Sequence, residues 1–198
     1  MLYMEIDGRR KELFAKLINK WDSTLRRYEQ VMREEHLPYV YGERPNLGIL
    51  SIAATKLGFI TLEEYETKRK GKYGRADLWM YDKTLNIDVS VEAKFVTLSW
   101  KSKILAETIK KKLALAVDEV SVVDEDLSCS LGIVFVRPEG ATPANFQPTD
   151  YWAQIKDRSS IGADFCAMHI CKTKTWANQK YAKGCPGIVM AGKFHKSI

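Results

Sequence analysis

The stretch Gly74–Val96, GRADLWMYDKTLNIDVSVEAKFV, decides how this chain is read. Ala76, Leu78 and Met80 alternate with Asp77, Trp79 and Tyr81, and Leu85, Ile87, Val89 and Val91 alternate with Asn86, Asp88, Ser90 and Glu92. A period of two marks a half-buried strand, so the stretch predicts two strands. The polar break Asp82-Lys83-Thr84 suits a hairpin connection between them. Side chains two apart on a strand share a face, so Glu92 and Lys94 project together while Ala93 faces the other way. Asp77, at the far end of the first strand, then comes level with Glu92. Two carboxylates and an ammonium converge, a set suited to a hard divalent cation such as magnesium, with the lysine orienting or deprotonating a water. The competing reading is a solvated hairpin face with a Glu-Lys pair, although charged residues seldom interrupt apolar strands without a role.

Upstream, Phe59–Lys68 carries a further strand pattern, and Lys68–Arg75, KRKGKYGR, reads as a basic loop that delivers the chain to Asp77. Its Lys70, Lys72 and Arg75 would neutralise backbone phosphates that the carboxylates would otherwise repel; a solvated turn is the alternative. Pro45 suits the first turn of a helix running to Leu57 and stopped by Gly58, apolar on most sides and expected to lie against the sheet. Glu43 stands at its mouth, where the helix dipole favours an acid. His36–Pro45 is a connector, and Gly8–Glu35 reads as one amphipathic helix with Asp7 as its cap. This helix either packs across the sheet or dimerises.

Downstream, the motif strand ends near Leu98 and Ser99–Val120 reads as a helix, with Leu105, Ile109, Leu113, Ala116 and Val120 on one face. Its other face carries Lys101, Lys103, Lys110, Lys111 and Lys112. Ser130–Arg137 is a nearly continuous apolar run, as in a strand buried on both sides. Strand, helix, strand implies a right-handed crossover and a parallel pair. Pro138–Pro148 reads as a loop, Thr149–Arg158 as a short helix, and Ala163–Lys172 and Ile188–Phe194 as strands. Between the last two, Lys174, Trp176 and Lys180 belong to a lysine-rich segment whose rings either stack on bases or pack as a lid.

The chain has 198 residues, 45% of them hydrophobic, which is material for one full core, and one domain is the expectation. It divides into an N-terminal helical extension (1–42), a core with the motif (43–137) and C-terminal strands with a basic loop (138–198). A net charge of +6 favours a polyanionic partner. No apolar run approaches the ~18 residues of a membrane span, and the N-terminus turns charged at once, so a cytoplasmic chain with reduced thiols and no membrane contact is expected. Cys166, His169, Cys171 and Cys185 invite a zinc reading, but on a strand Cys166 and Cys171 face opposite sides and no Cys-x-x-Cys occurs, so buried structural thiols are expected instead. A cysteine hydrolase is unfavoured for the same reason.

Asp77, Glu92 and Lys94 resemble the signature of the PD-(D/E)XK nuclease superfamily, an Asp at a strand end followed by Glu-x-Lys on the next strand. Ala76 stands where that superfamily often has proline. The order helix, three meandering strands, helix, strand over Glu43–Arg137 is similar to the superfamily core. The resemblance implies an α/β restriction endonuclease-like fold, a central mixed sheet flanked by helices. It implies that Asp77, Glu92 and the Ala93 carbonyl ligate Mg2+, with Mn2+ able to substitute, that Lys94 positions the attacking water, and that Glu43 completes the site. The expected activity is a metal-dependent endonuclease acting on DNA, and a homodimer is the expected assembly because cutting both strands needs two sites. A catalytically inactive nucleic-acid-binding or assembly protein on the same fold is the alternative.

Overall fold

A computed structural model describes residues 1–6, 11–32, 36–69, 72–99, 102, 104–123, 129–139, 148–171 and 187–197. In chain order these form β1 (Leu2–Ile6), α1 (Lys11–Met32), α2 (Glu43–Thr55), β2 (Ile60–Arg69), β3 (Lys72–Asp82), β4 (Ile87–Ser99), α3 (Leu105–Val120), β5 (Cys129–Glu139), α4 (Pro148–Ile155), α5 (Arg158–Ile161), β6 (Phe165–Ile170) and β7 (Gly187–Ser197). The strands make one seven-stranded sheet in the order β1-β6-β7-β5-β4-β3-β2. Neighbours are antiparallel except β4 and β5, which run parallel from Val89↔Cys129 to Ser99↔Glu139. The protein is therefore α/β, with a mixed sheet flanked by helices, and the expected parallel pair is present.

Each sheet face has its own core. Leu78, Met80, Val89, Val91, Ala93, Leu131 and Ile133 pack under α1 and α2. Val134, Val136, Cys166, Met168 and Val189 pack under α3, α4 and α5. β5 contributes to both, which explains why its sequence is apolar without alternation. The five α3 positions expected on one face are the five that are buried. On α1, Phe14, Leu17, Ile18, Trp21 and Leu25 are buried in the first core, each stabilising by roughly 1.5–3 kcal/mol. That face is thus occupied by the chain's own sheet rather than left for a second copy. Asp7, the expected cap, lies outside the described residues.

Several expectations need correction. Lys68–Arg75 is not a loop: β2 runs to Arg69, β3 begins at Lys72, and these two residues pair. The ladder here is held by backbone bonds beyond the core, so no apolar alternation is needed and the sequence signal is lost. Leu85 is not in a strand. Asp82 Oδ1 accepts the N–H groups of Thr84 (2.8 Å) and Leu85 (3.1 Å), and Asn86 adopts φ 49°, so the turn extends to Asn86. The helix after the motif starts at Leu105, not Ser99, because β4 continues to Ser99 beside β5. The single helix expected over Thr149–Arg158 is two, α4 and α5, with Asp157 accepting from the Ser159 N–H as the cap of the second. β1 carries too short a pattern to be legible and is held by β6, far along the chain.

Close approach of α3 to the sheet depends on Gly132. A Cβ there would stand 2.7 Å from both the Val117 nitrogen and its Cγ2. Only a residue without a side chain lets the helix lie this low over β4 and β5.

A buried ionic cluster ties α1 to β6. His169, with no exposure, contacts Asp22 Oδ1 through Nδ1 and Glu29 Oε1 through Nε2, each at 2.7 Å. Both partners are acceptors when ionised, so the ring satisfies both only as an imidazolium. Arg26 Nε holds the other Asp22 oxygen at 2.7 Å, and the Tyr39 hydroxyl donates to Glu29 at 3.3 Å. Burial pulls the His169 pKa down, but hydrogen bonds and charge from Asp22 and Glu29 outweigh it and the net shift is upward. Burial pushes Asp22 and Glu29 up, and the bonds from His169, with Arg26 for Asp22, bring both below their ordinary values. Cys166 lies in the opposite core, its thiol pushed up to about 12 by burial. His169 is buried, and so are Cys129, Cys166 and Cys171, as expected of inert thiols, and Cys185 lies outside the described residues.

Candidate active site at a strand fork

β3 and β4 pair from Asp82↔Ile87 to Leu78↔Val91 and then part. Among the described residues, beyond this point β3 pairs only with β2, and β4 only with β5. The fork opens at Asp77 and Glu92. The Ala93 N–H, past the end of the β3–β4 ladder, donates to Asp77 Oδ2 at 2.8 Å. This bond fixes the Asp77 carboxylate in the gap and leaves Oδ1 for a ligand.

Ala93 belongs to the α1/α2 core, so Glu92 and Lys94 face α3 by alternation. Glu92 is 2% exposed. Lys94 Nζ lies 2.5 Å from Glu119 Oε2, on the last turn of α3.

On the other side of Asp77, the first turn of α2 and strand β2 enclose a cavity of about 320 Å³ lined by Glu43, Arg44, Leu47, Glu63, Glu64 and Asp77. Four of these six are acidic. Glu64 has φ 51°, a left-handed conformation that costs a non-glycine residue roughly 1–2 kcal/mol. It sits opposite Asp77, at the one step between Glu63↔Leu78 and Tyr65↔Ala76 where the pairing lapses, and it forms ion pairs with Arg44 and, at 3.6 Å, with Arg75.

Glu43 reports the electrostatics. Burial, then repulsion from Asp77, with a smaller push from Glu119, raises its pKa against the pull of Lys94 and Arg44. Glu43, Asp77, Lys94 and Glu119 therefore belong to one electrostatic unit although they come from four elements. Of the residues singled out from sequence, Asp77, Glu92, Ala93, Lys94 and Glu43 gather at the fork. Arg75 is exposed beside Glu64, and Lys72 lies in β3 with its side chain outside the described residues. Lys70, Lys101, Lys103, Lys174, Trp176 and Lys180 lie outside the described residues.

Sequence reading missed Glu64 and Glu119. Glu119 left a trace: an acid in the last turn of a helix opposes the dipole, and that turn carries no basic residue.

Among the described residues no three acidic, histidine or cysteine side chains already form a metal cage. Magnesium does not require one, since it keeps several waters and takes one or two carboxylates. Asp77 with a free oxygen, and Glu43 with its pKa raised by burial and then by Asp77, fit that demand, because a bound cation would offset the repulsion. Among the described residues no helix is long and apolar enough to cross a membrane. Comparison with protein-family models, curated proteins and solved structures finds no match.

Proposed function

We propose that the chain is a metal-dependent endonuclease that hydrolyses phosphodiester bonds of DNA. The observation that carries this reading is the fork, which has Asp77 on β3, Glu92 and Lys94 on β4 and Glu43 on α2 beside an acidic cavity. Such a cluster of like charges stabilises no fold, and sites that raise the pKa of a carboxyl through burial and a second carboxylate are where function concentrates. The chain order of the core, which resembles the PD-(D/E)XK superfamily, supports the same reading.

In this reading Asp77, Glu92 and the Ala93 carbonyl would hold Mg2+, or Mn2+ in its place, and Glu43 would complete the set. When bound, the ion would polarise the scissile phosphate and lower the pKa of a water. Lys94 then holds the water in line with the phosphorus and donates to a non-bridging oxygen as negative charge builds there. Ala93 N–H keeps Asp77 from rotating out of the gap. Arg75 and the basic residues near it meet the backbone phosphates on either side. A homodimer would supply a second site for the second strand.

The test is incubation of the protein with linear, circular and branched DNA, with magnesium or manganese against EDTA. Metal-dependent cleavage is expected, lost by about 100-fold or more in Asp77→Ala and Lys94→Ala. Binding that weakens with salt, with no cleavage under any metal, would instead favour a non-catalytic nucleic-acid-binding or assembly protein.

A further inference from the structure

We infer that Glu119 is the positioning residue for Lys94. This rests on the nuclease reading, and adds to it a residue outside the Asp…Glu-x-Lys pattern.

A lysine has four rotatable side-chain bonds and a point charge, so by itself it does not hold a water in one place. Lys94 is constrained. Its stem lies on the α3 face of β4, largely buried at 22% side-chain exposure, and its ammonium meets Glu119 Oε2 at 2.5 Å. Glu119 is itself 44% exposed, so it is accessible to solvent rather than sealed in the core.

Two observations argue that the pair is there for the site. An anion at the C-terminal end of α3 is unfavourable for the helix, and Asp118 beside it adds a second. Local stability would have placed a lysine there. The reach of Glu119 to Lys94 also depends on α3 lying low on the sheet, which Gly132 permits through a contact that no side chain would tolerate. Glu119 Oε2 takes one of the three ammonium N–H directions and leaves two for water and phosphate oxygen.

The experiment is a double-mutant cycle on DNA cleavage with Lys94→Ala, Glu119→Gln and both together, with Glu119→Asp as the conservative variant. A misplaced catalytic group costs up to about 100-fold, so Glu119→Gln is expected to lower kcat by roughly 10- to 100-fold with KM for DNA little changed. In the Lys94→Ala background the same change should have no further effect, because Glu119 acts through Lys94. Glu119→Asp should recover part of the loss. A second readout needs neither metal nor DNA: reductive methylation of the metal-free protein, followed by mass spectrometry, should label Lys94 faster in Glu119→Gln than in wild type.

Equal losses in both backgrounds would overturn the inference, since Glu119 would then act independently, as a metal ligand or a structural group. Faster cleavage by Glu119→Gln would also overturn it, because the pair would be a restraint that withholds Lys94. Unchanged cleavage with Lys94 still required refutes the inference and leaves the nuclease reading intact. A wild-type protein that cleaves no DNA removes both.

Discussion

Replacing His169 by glutamine tests the buried cluster that joins α1 to β6. The substitution removes a cation shared by Asp22 and Glu29 at 2.7 Å each and leaves two carboxylates in the core. Breaking a buried ion pair from one side costs about 3–5 kcal/mol. Arg26 still holds Asp22 and Tyr39 still reaches Glu29, so the lower end applies, ~3 kcal/mol. At ~2–4 °C per kcal/mol for a chain of this size, the Tm should fall by about 6–12 °C. The pH dependence carries the sharper test. The His169 pKa is raised on folding, so its contribution is complete below the ordinary 6.5 and is lost as pH rises through the folded value. Asp22 and Glu29 are lowered, so theirs is complete above the ordinary 3.8 and 4.5 and is lost as pH falls. Wild-type stability should therefore hold from about pH 5 to above 6.5 and decline on either side. In the variant the alkaline decline should vanish, and the penalty should shrink in acid, where the stranded carboxylates take protons. Melts by circular dichroism from pH 3 to 9, for wild type, His169→Gln and His169→Gln with Glu29→Gln, measure this. An alkaline decline that persists unchanged in the variant, or a Tm within 2 °C of wild type at pH 7, would refute the imidazolium assignment.

Gly132→Ala should overpack the α3 interface against the Val117 backbone and cost ~1–3 kcal/mol, a Tm drop of about 2–12 °C, read by thermal melting. Glu43→Gln should raise the Tm of the metal-free protein at pH 7 by at most ~4 °C, since it removes a carboxyl whose raised pKa marks it as destabilising above its ordinary 4.5, and the gain should vanish by pH 4; an unchanged or lower Tm at pH 7 counts against the repulsion from Asp77. Magnesium at ~100 times its dissociation constant should stabilise the wild type by ~2.7 kcal/mol, seen as a Tm rise of roughly 5–10 °C, and Asp77→Asn should show no such rise in the same scanning fluorimetry.

Much of the site was legible because its parts are near one another along the chain. Asp77 and Glu92 flank a short turn, so the period-2 pattern and the pleat sufficed to bring them level. The same holds for α3, whose buried positions repeat at helical spacing. The basic ribbon was misread as a loop because a ladder outside the core leaves no hydrophobic alternation to read.

The sequence by itself determined which segments alternate, which helix faces are apolar, the α/β order of the core and the neighbourhood of Asp77, Glu92 and Lys94. Those are consequences of local periodicity, through which burial writes itself on the chain. Tertiary structure alone decided the rest: β1 beside β6, Glu64 turned into a left-handed conformation at the fork, Glu119 against Lys94, and His169 between Asp22 and Glu29. Each joins groups whose meeting depends on sheet order or on the height of a helix over the sheet, and a charged residue carries the same letter whether it faces water or a buried partner. Where the partner is distant in sequence, only packing reveals which it does.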